Sequence, residues 1–142
     1  MRNVLFPFDG SASAKRAIQY LLDLAGDYPN IQVHVINVQA APKLYGDYVS
    51  SAMLEQLHAG SLQHAQQIAS DAADLLKEAG VRVVVHAMVG EVVDEVVHAV
   101  KACACDTVIM GTRGMSNLSN LLMGSVATRV VHGVPVPVLL VK

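Results

Sequence analysis

The stretch TVIMGTRGMSNLSNLLMGSVATRVV, residues 107–131, decides how this chain is read. It opens on a short, largely β-branched apolar run, Thr107–Met110, passes glycines at Gly111, Gly114 and Gly124, and enters a helical pattern at Ser125–His132. A run of this length between loop residues reads as a buried strand. Gly111 suits an abrupt exit from it, since glycine reaches backbone conformations closed to other residues. Gly114 lacks a Cβ, so a ligand could lie against its backbone. Gly124 and Ser125 open a helix whose first N–H groups have no intrahelical partner and carry partial positive charge. Ser125 can cap that helix or donate to an anionic oxygen. A phosphate chain matches this arrangement. Ser116, Asn117, Ser119 and Asn120 add hydrogen-bonding groups without negative charge, and Arg113 is the one cation within reach. The same glycines would also serve as ordinary turn and cap residues.

Outward from this stretch, four more apolar runs stand at Val4–Phe8, Ile31–Val38, Val81–Val89 and Val136–Val141. Most are continuously hydrophobic, as expected of strands covered on both faces. Helical patterns fall at Ser13–Gly26, Ser51–Ala79 and Val92–Ala102. The second shows three-and-four spacing through Leu54, Leu57, Ala65, Ile68, Ala72, Leu75 and Leu76, and ends on Lys77 and Gly80. Strand–helix alternation with right-handed crossovers predicts a parallel α/β sandwich in one domain, residues 1–142.

Ligands of such sheets bind outside the carboxyl ends of the strands. The first end, FPFDGS, offers Pro7, Phe8 and Asp9. Asp9 would repel a triphosphate unless it holds sugar hydroxyls, the favoured reading, or a bridging divalent cation; the alternative is that it caps the first helix with Ser11 or Ser13. The second end places Asn37 and Val38 where backbone groups could meet an adenine ring. The third, MVGEV, brings Met88 and Gly90 to the same rim. The fourth is Met110, Gly111, Thr112 and Arg113.

A net charge of -2 excludes a binder of the nucleic-acid backbone, which needs a basic face. No run of about 20 apolar residues could span a membrane. The start, MRNVLFPFDGSASA, has too short an apolar part for a secretion signal, so a cytoplasmic protein is expected. Cys103 and Cys105 fit that compartment as small, semi-buried residues whose side chains diverge. The six histidines (34, 58, 64, 86, 98 and 132) form no metal pair at i, i+4 spacing.

With these residues together, the chain resembles the universal stress proteins of the UspA-like superfamily, from VLFPFDGS to VPVPVLLVK. The most specific match is G-x2-G-x9-G-[ST], at Gly111, Gly114, Gly124 and Ser125, which in that family marks the ATP-binding subgroup. The resemblance implies a Rossmann-like, adenine nucleotide alpha hydrolase-like fold: a five-stranded parallel sheet of order 3-2-1-4-5 between about four helices. It also implies ATP, with Mg2+, as ligand. Asp9 would lie near the ribose or reach the metal, Val38 near adenine, and the glycine loop with Ser125 and Val126 around the phosphates. Arg113 and Asn117 fall at variable positions of the motif.

A homodimer is expected through the last strand, Val136–Val141. Pro135 and Pro137 mark it as an edge, and its apolar remainder invites a second copy. Catalysis has little to stand on. No Walker-type lysine follows Gly124-Ser125, no nucleophile elbow occurs, and the acidic pair of a response regulator is absent after the first strand. The expectation is a nucleotide-dependent regulatory module, with a weak ATPase or a dimerisation module that binds no nucleotide as alternatives.

Overall fold

Helices and strands alternate along the chain: β1 (Asn3–Pro7), α1 (Ala12–Asp27), β2 (Gln32–Gln39), α2 (Ser51–Glu78), β3 (Arg82–Val89), α3 (Val92–Ala102), β4 (Thr107–Gly111), α4 (Ser125–Gly133) and β5 (Val138–Val141). This computed structural model describes residues 1–41, 49–113 and 123–142. All pairings are parallel and the strand order is β3-β2-β1-β4-β5, the order expected from the resemblance. Helices α1 and α2 cover one face, over a core centred on Phe6, Leu21, Val33 and Leu76. On the other face, α3 and α4 close over Leu5, Ile36, Val96, Val108 and Val130.

Local chemistry fixes the ends of the elements. Ser11 and Ser50 cap α1 and α2, accepting from Ala14 N and Met53 N. Glu91 caps α3, accepting from Asp94 N at 2.8 Å. α2 stops at Gly80, as its sequence implies: with φ +82°, Gly80 donates to the Lys77 carbonyl while Val81 donates to Leu76. α3 ends with the same pair of bonds, from Ala104 to Lys101 and from Cys105 to Val100, but with alanine at φ 50° where α2 has glycine. The start of β4 is stapled to that of β1. Asp106 Oδ2 accepts from the backbone N–H of Arg2 at 2.8 Å and of Asn3 at 3.1 Å.

Three details differ from the sequence reading. The buried stripe of α2 is Ala65, Ala69, Ala72, Ala73 and Leu76, whereas Leu54, Leu57 and Leu75 are exposed. Small residues let the helix lie close to β2 and β3, and its first turns run on past the core. β3 is an edge strand with one face partly open (Val84 is 36% exposed), so its continuous apolar run did not signify cover on both faces. The last strand begins at Val138, not Val136. Pro137 turns its carbonyl inward, accepting from Val108 N at 2.9 Å, so the missing N–H of Pro137 lies on the β4 side, while Pro135 sits in the bend before the strand. The outward backbone groups belong to Val138 and Leu140.

Candidate functional site

The ends of β1, β2 and β4 and the N-terminus of α4 surround a cleft of about 340 Å³, within the usual range of small-ligand sites. β1 contributes Pro7, Phe8 and Asp9, with Ser11 and Ala14 beyond; β2 contributes Ile36, Asn37 and Val38. From β4 come Met110, Gly111 and Arg113, and from the start of α4 Gly124, Ser125, Val126 and Ala127. Val92 and Val96 of α3 complete the apolar floor.

The backbone explains why β2 is exposed here. β1 pairs with β2 only as far as Pro7 opposite Ile36, and then Phe8 N donates to the Ile36 carbonyl at 3.0 Å. N–H and C=O groups face alternate sides along a strand, so those of Val38 point the same way as those of Ile36, into space that β1 has left. Asn37 is buried and structural: its Nδ2 donates to the Phe8 carbonyl at 2.8 Å, holding the two strand ends together. Phe8 is itself core, tilted against Phe6 with ring centroids 5.7 Å apart.

Asp9 is exposed, and its Oδ1 accepts from Ser11 N at 2.9 Å. Its carboxylate therefore shapes the turn into α1, while Ser11 supplies the cap. Ser11 and Ser13 also reach across to β4. Both hydroxyls donate to the Arg113 carbonyl, at 3.1 and 2.8 Å, and Arg113 N donates to Ser13 Oγ at 3.2 Å. These two serines fix the start of the glycine loop. The SAS of residues 11–13 signals helix capping, but only the tertiary structure reveals the span to residue 113.

Gly111 has another role than a turn of unusual backbone conformation. It is the last residue of β4, and the positive-φ glycines of the described residues are Gly10 and Gly80. A Cβ on Gly111 would lie 2.7 Å from Ala14 N and collide with Ser13 Oγ. The glycine is needed for the close approach of α1. Ser125 is likewise not the cap of α4. Gly124 occupies that position, in extended conformation and with no side-chain cap bond. Its N–H donates to the Thr112 carbonyl at 2.6 Å, and its carbonyl accepts from Thr128 N and Thr128 Oγ1. The amides of Ser125, Val126 and Ala127 thus have no capping side chain among the described residues, the electrostatics of an anion seat.

The remaining sequence candidates stand elsewhere. Thr112 is buried and donates to the Val141 carbonyl. Gly90 donates to the Gln39 carbonyl and lies under Glu95. Met88 packs at the margin of the α3–α4 core. Gly114 and Asn117 lie outside the described residues. Arg129 of α4 pairs with Glu91, the cap of α3, at 3.1 Å. The Glu91 carboxyl is held below the usual range by the Asp94 N–H, which outweighs burial, with Val93 N–H and Arg129 adding to it. A wider hollow of about 710 Å³ between α1 and α2, lined by Ile18, Leu22, Ile68 and Leu75, does not meet the helix N-terminus of α4.

All 142 residues match the family described as the Universal stress protein family. The chain belongs to this family. Universal stress protein MJ0531 of Methanocaldococcus jannaschii is 26% identical over 141 residues, spanning 99% of this chain and 82% of that protein. One from Thermus aquaticus is 28% identical over 142 residues, 99% and 98% of the two. Among solved structures, UspA from Lactobacillus plantarum superposes with a TM-score of 0.82 at 17% identity, covering 99% of this chain and 97% of its own. A universal stress protein in complex with cAMP gives 0.68 at 22% identity, over 99% and 96%. A family member from Arabidopsis thaliana with AMP bound gives 0.65 at 18%, over 100% and 92%. At these identities the structures attest the fold of this universal stress protein. Among the described residues no helix is long and apolar enough to cross a membrane.

Proposed function

We propose that this universal stress protein is a nucleotide-binding regulatory module that takes ATP with Mg2+ in the cleft and acts as a cytoplasmic homodimer. The observation that carries the reading is the convergence, in one hollow, of the β1, β2 and β4 ends and the uncapped amides of α4. Adenine would meet the outward-facing backbone of Val38. The ribose would lie beside Asp9, whose second oxygen has no partner among the described residues, and the phosphates against Gly124, Ser125 and Val126. Arg113, and outside the described residues Gly114 and Asn117, would add to the phosphate side. Asp9 is the carboxylate that could reach a magnesium ion. The cAMP- and AMP-bound relatives support an adenine ligand in this fold. Among the described residues the cleft wall holds one carboxylate, Asp9, and one cation, Arg113; with so few groups for phosphoryl transfer, slow hydrolysis is expected.

Thermal denaturation with and without ATP–Mg2+ tests the proposal. A ligand at 100 times its dissociation constant adds about 2.7 kcal/mol, a rise in Tm of roughly 5–10 °C for a domain of this size. Gly124→Val should abolish the rise and leave the apo protein folded, because its φ of -71° and ψ of 162° suit any residue. No rise at millimolar ATP–Mg2+ would overturn the proposal. The dimer is supported by the outer edge of β5, where Val138 and Leu140 keep backbone groups free of the β4 ladder.

A further inference from the structure

On the α3 side of the sheet, away from the cleft, the register of β2 against β3 brings two histidines together. His34 lies opposite Val84 and His86 opposite Ile36, so the imidazoles are diagonal neighbours on one face. Their rings stack with centroids 5.2 Å apart and planes at 27°, and His34 Nδ1 is 3.0 Å from His86 Nε2. Cys103, the C-cap of α3, brings its Sγ to 3.8 Å from the same Nε2. One donor atom from each residue falls within 4.8 Å of the others. His34 is buried, His86 and Cys103 half-buried. α3 packs over β1 and β2, so solvent reaches the cluster along the open side of β3, where Val84 is exposed.

These separations suit a metal ion. With Zn–N at about 2.0–2.1 Å and Zn–S at about 2.3 Å, a tetrahedral centre has N–N edges of about 3.3 Å and N–S edges of about 3.6 Å. The observed 3.0 and 3.8 Å lie close to both, and the third edge, within 4.8 Å, would have to shorten on binding. Burial lowers the basicity of both imidazoles, with His86 adding to the effect on His34, and a metal ion would replace the proton that the two facing nitrogens share at 3.0 Å. Burial also raises the Cys103 thiol, so a bound ion must displace its proton to solvent as the metal–thiolate bond forms. The backbone holds the sulfur in place. Cys103 N donates to the Ala99 carbonyl, and Ala104 behind it is locked at φ 50° by the bonds that end α3.

We propose that His34, His86 and Cys103 form a three-ligand zinc site, distinct from the nucleotide cleft, with its fourth position open to water or an external ligand. Two imidazoles and a thiolate are borderline-to-soft donors, which select zinc over the hard magnesium of a phosphate site. An open fourth position lets such a centre take up a further donor.

The test is a titration of the metal-free full-length protein with Co2+, which reports thiolate ligation through a sulfur-to-cobalt charge-transfer band and tetrahedral geometry through intense visible bands. One equivalent should produce both, and Zn2+ should erase them. Cys103→Ser should remove the charge-transfer band and weaken binding by at least about 100-fold, more than loss of an outer-shell partner costs. His86→Gln should weaken it comparably, whereas Cys105→Ser and His98→Gln should leave the spectrum unchanged. Circular dichroism of each variant confirms that it is folded. Absence of a charge-transfer band, its survival in Cys103→Ser, or its loss in Cys105→Ser would each overturn the proposal.

Discussion

Adding one methyl group at Gly111 should damage this protein far more than adding one at Gly60, and with the opposite sign. At Gly111 the new Cβ would stand 2.7 Å from Ala14 N and 2.9 Å from the Ser13 carbonyl carbon, and would collide with Ser13 Oγ. Two of these are backbone atoms at the start of a helix, so no rotamer change relieves the contact. α1 must draw away from β4, which strains or breaks the three bonds between Ser11, Ser13 and the Arg113 backbone. Overpacking against unyielding atoms costs about 1–3 kcal/mol, and a lost neutral hydrogen bond adds about 1 kcal/mol. We expect Gly111→Ala to lose about 3 kcal/mol. At roughly 3 °C per kcal/mol, Tm falls by about 10 °C. Gly60 lies within α2 with nothing within 4 Å of its Cβ position. There alanine removes a helix-breaking residue and should stabilise by about 0.5–1 kcal/mol. Urea unfolding followed by circular dichroism reads both. If Gly111→Ala unfolds at the wild-type urea concentration, the account of Gly111 as a packing residue is wrong. Nucleotide-binding assays belong on Gly124 variants for the same reason, since a Gly111 variant would report lost fold as lost affinity.

Three further expectations follow from the ends of the elements. Ala104→Gly relieves an alanine held at φ 50°, worth about 1 kcal/mol, against about 0.5 kcal/mol of added chain freedom; a net loss in chemical denaturation would contradict it. Asp106 is held below its ordinary 3.8 because the N–H groups of Arg2 and Asn3 and the Thr107 hydroxyl outweigh burial, with the N-terminal charge helping. A depressed carboxyl stabilises the fold above its unfolded value and loses that contribution as pH falls through its folded value. Asp106→Asn should therefore be less stable than wild type at neutral pH, with the difference shrinking on acidification below the ordinary aspartate range; a difference that grows in acid would refute the staple. Finally, sedimentation at micromolar concentration should show a dimer. Leu140→Pro, which removes an outward N–H without touching the β4 ladder, should give a folded monomer; a monomeric wild type would sink this interface.

Much of the fold was legible because strands and helices here are marked locally. The β-branched runs, the serines after Asp9 and Gly80 after α2 place boundaries within a residue or two of those observed. What local reading missed depends on neighbours distant in sequence. The run Val81–Val89 is apolar throughout, yet only the strand order makes it an edge with Val84 exposed. Leu54 and Leu57 fit the helical period but lie beyond the sheet that would have buried them. The cleft residues around β1, β2 and α4 are legible because ligands of such sheets bind at strand ends, whereas Ser13, whose hydroxyl acts 100 residues away, gives no local signal beyond capping. The histidine–cysteine cluster was invisible for the same reason. His34 and His86 are 52 residues apart, and no spacing rule along one helix can detect a diagonal across two strands.

The alanine stripe of α2 carries a mechanical consequence. Ala65, Ala69, Ala72 and Ala73 are completely buried, and alanine surrenders no rotamer freedom when it is enclosed. The longest helix of the described chain is therefore seated at almost no side-chain entropic expense, but by shallow methyl contacts with little interlocking relief. Such a seat depends on distance alone. A β-branched residue at Ala69 would act as a lever, lifting the packed part of α2, from Ala65 to Leu76, off β2 and β3 at once.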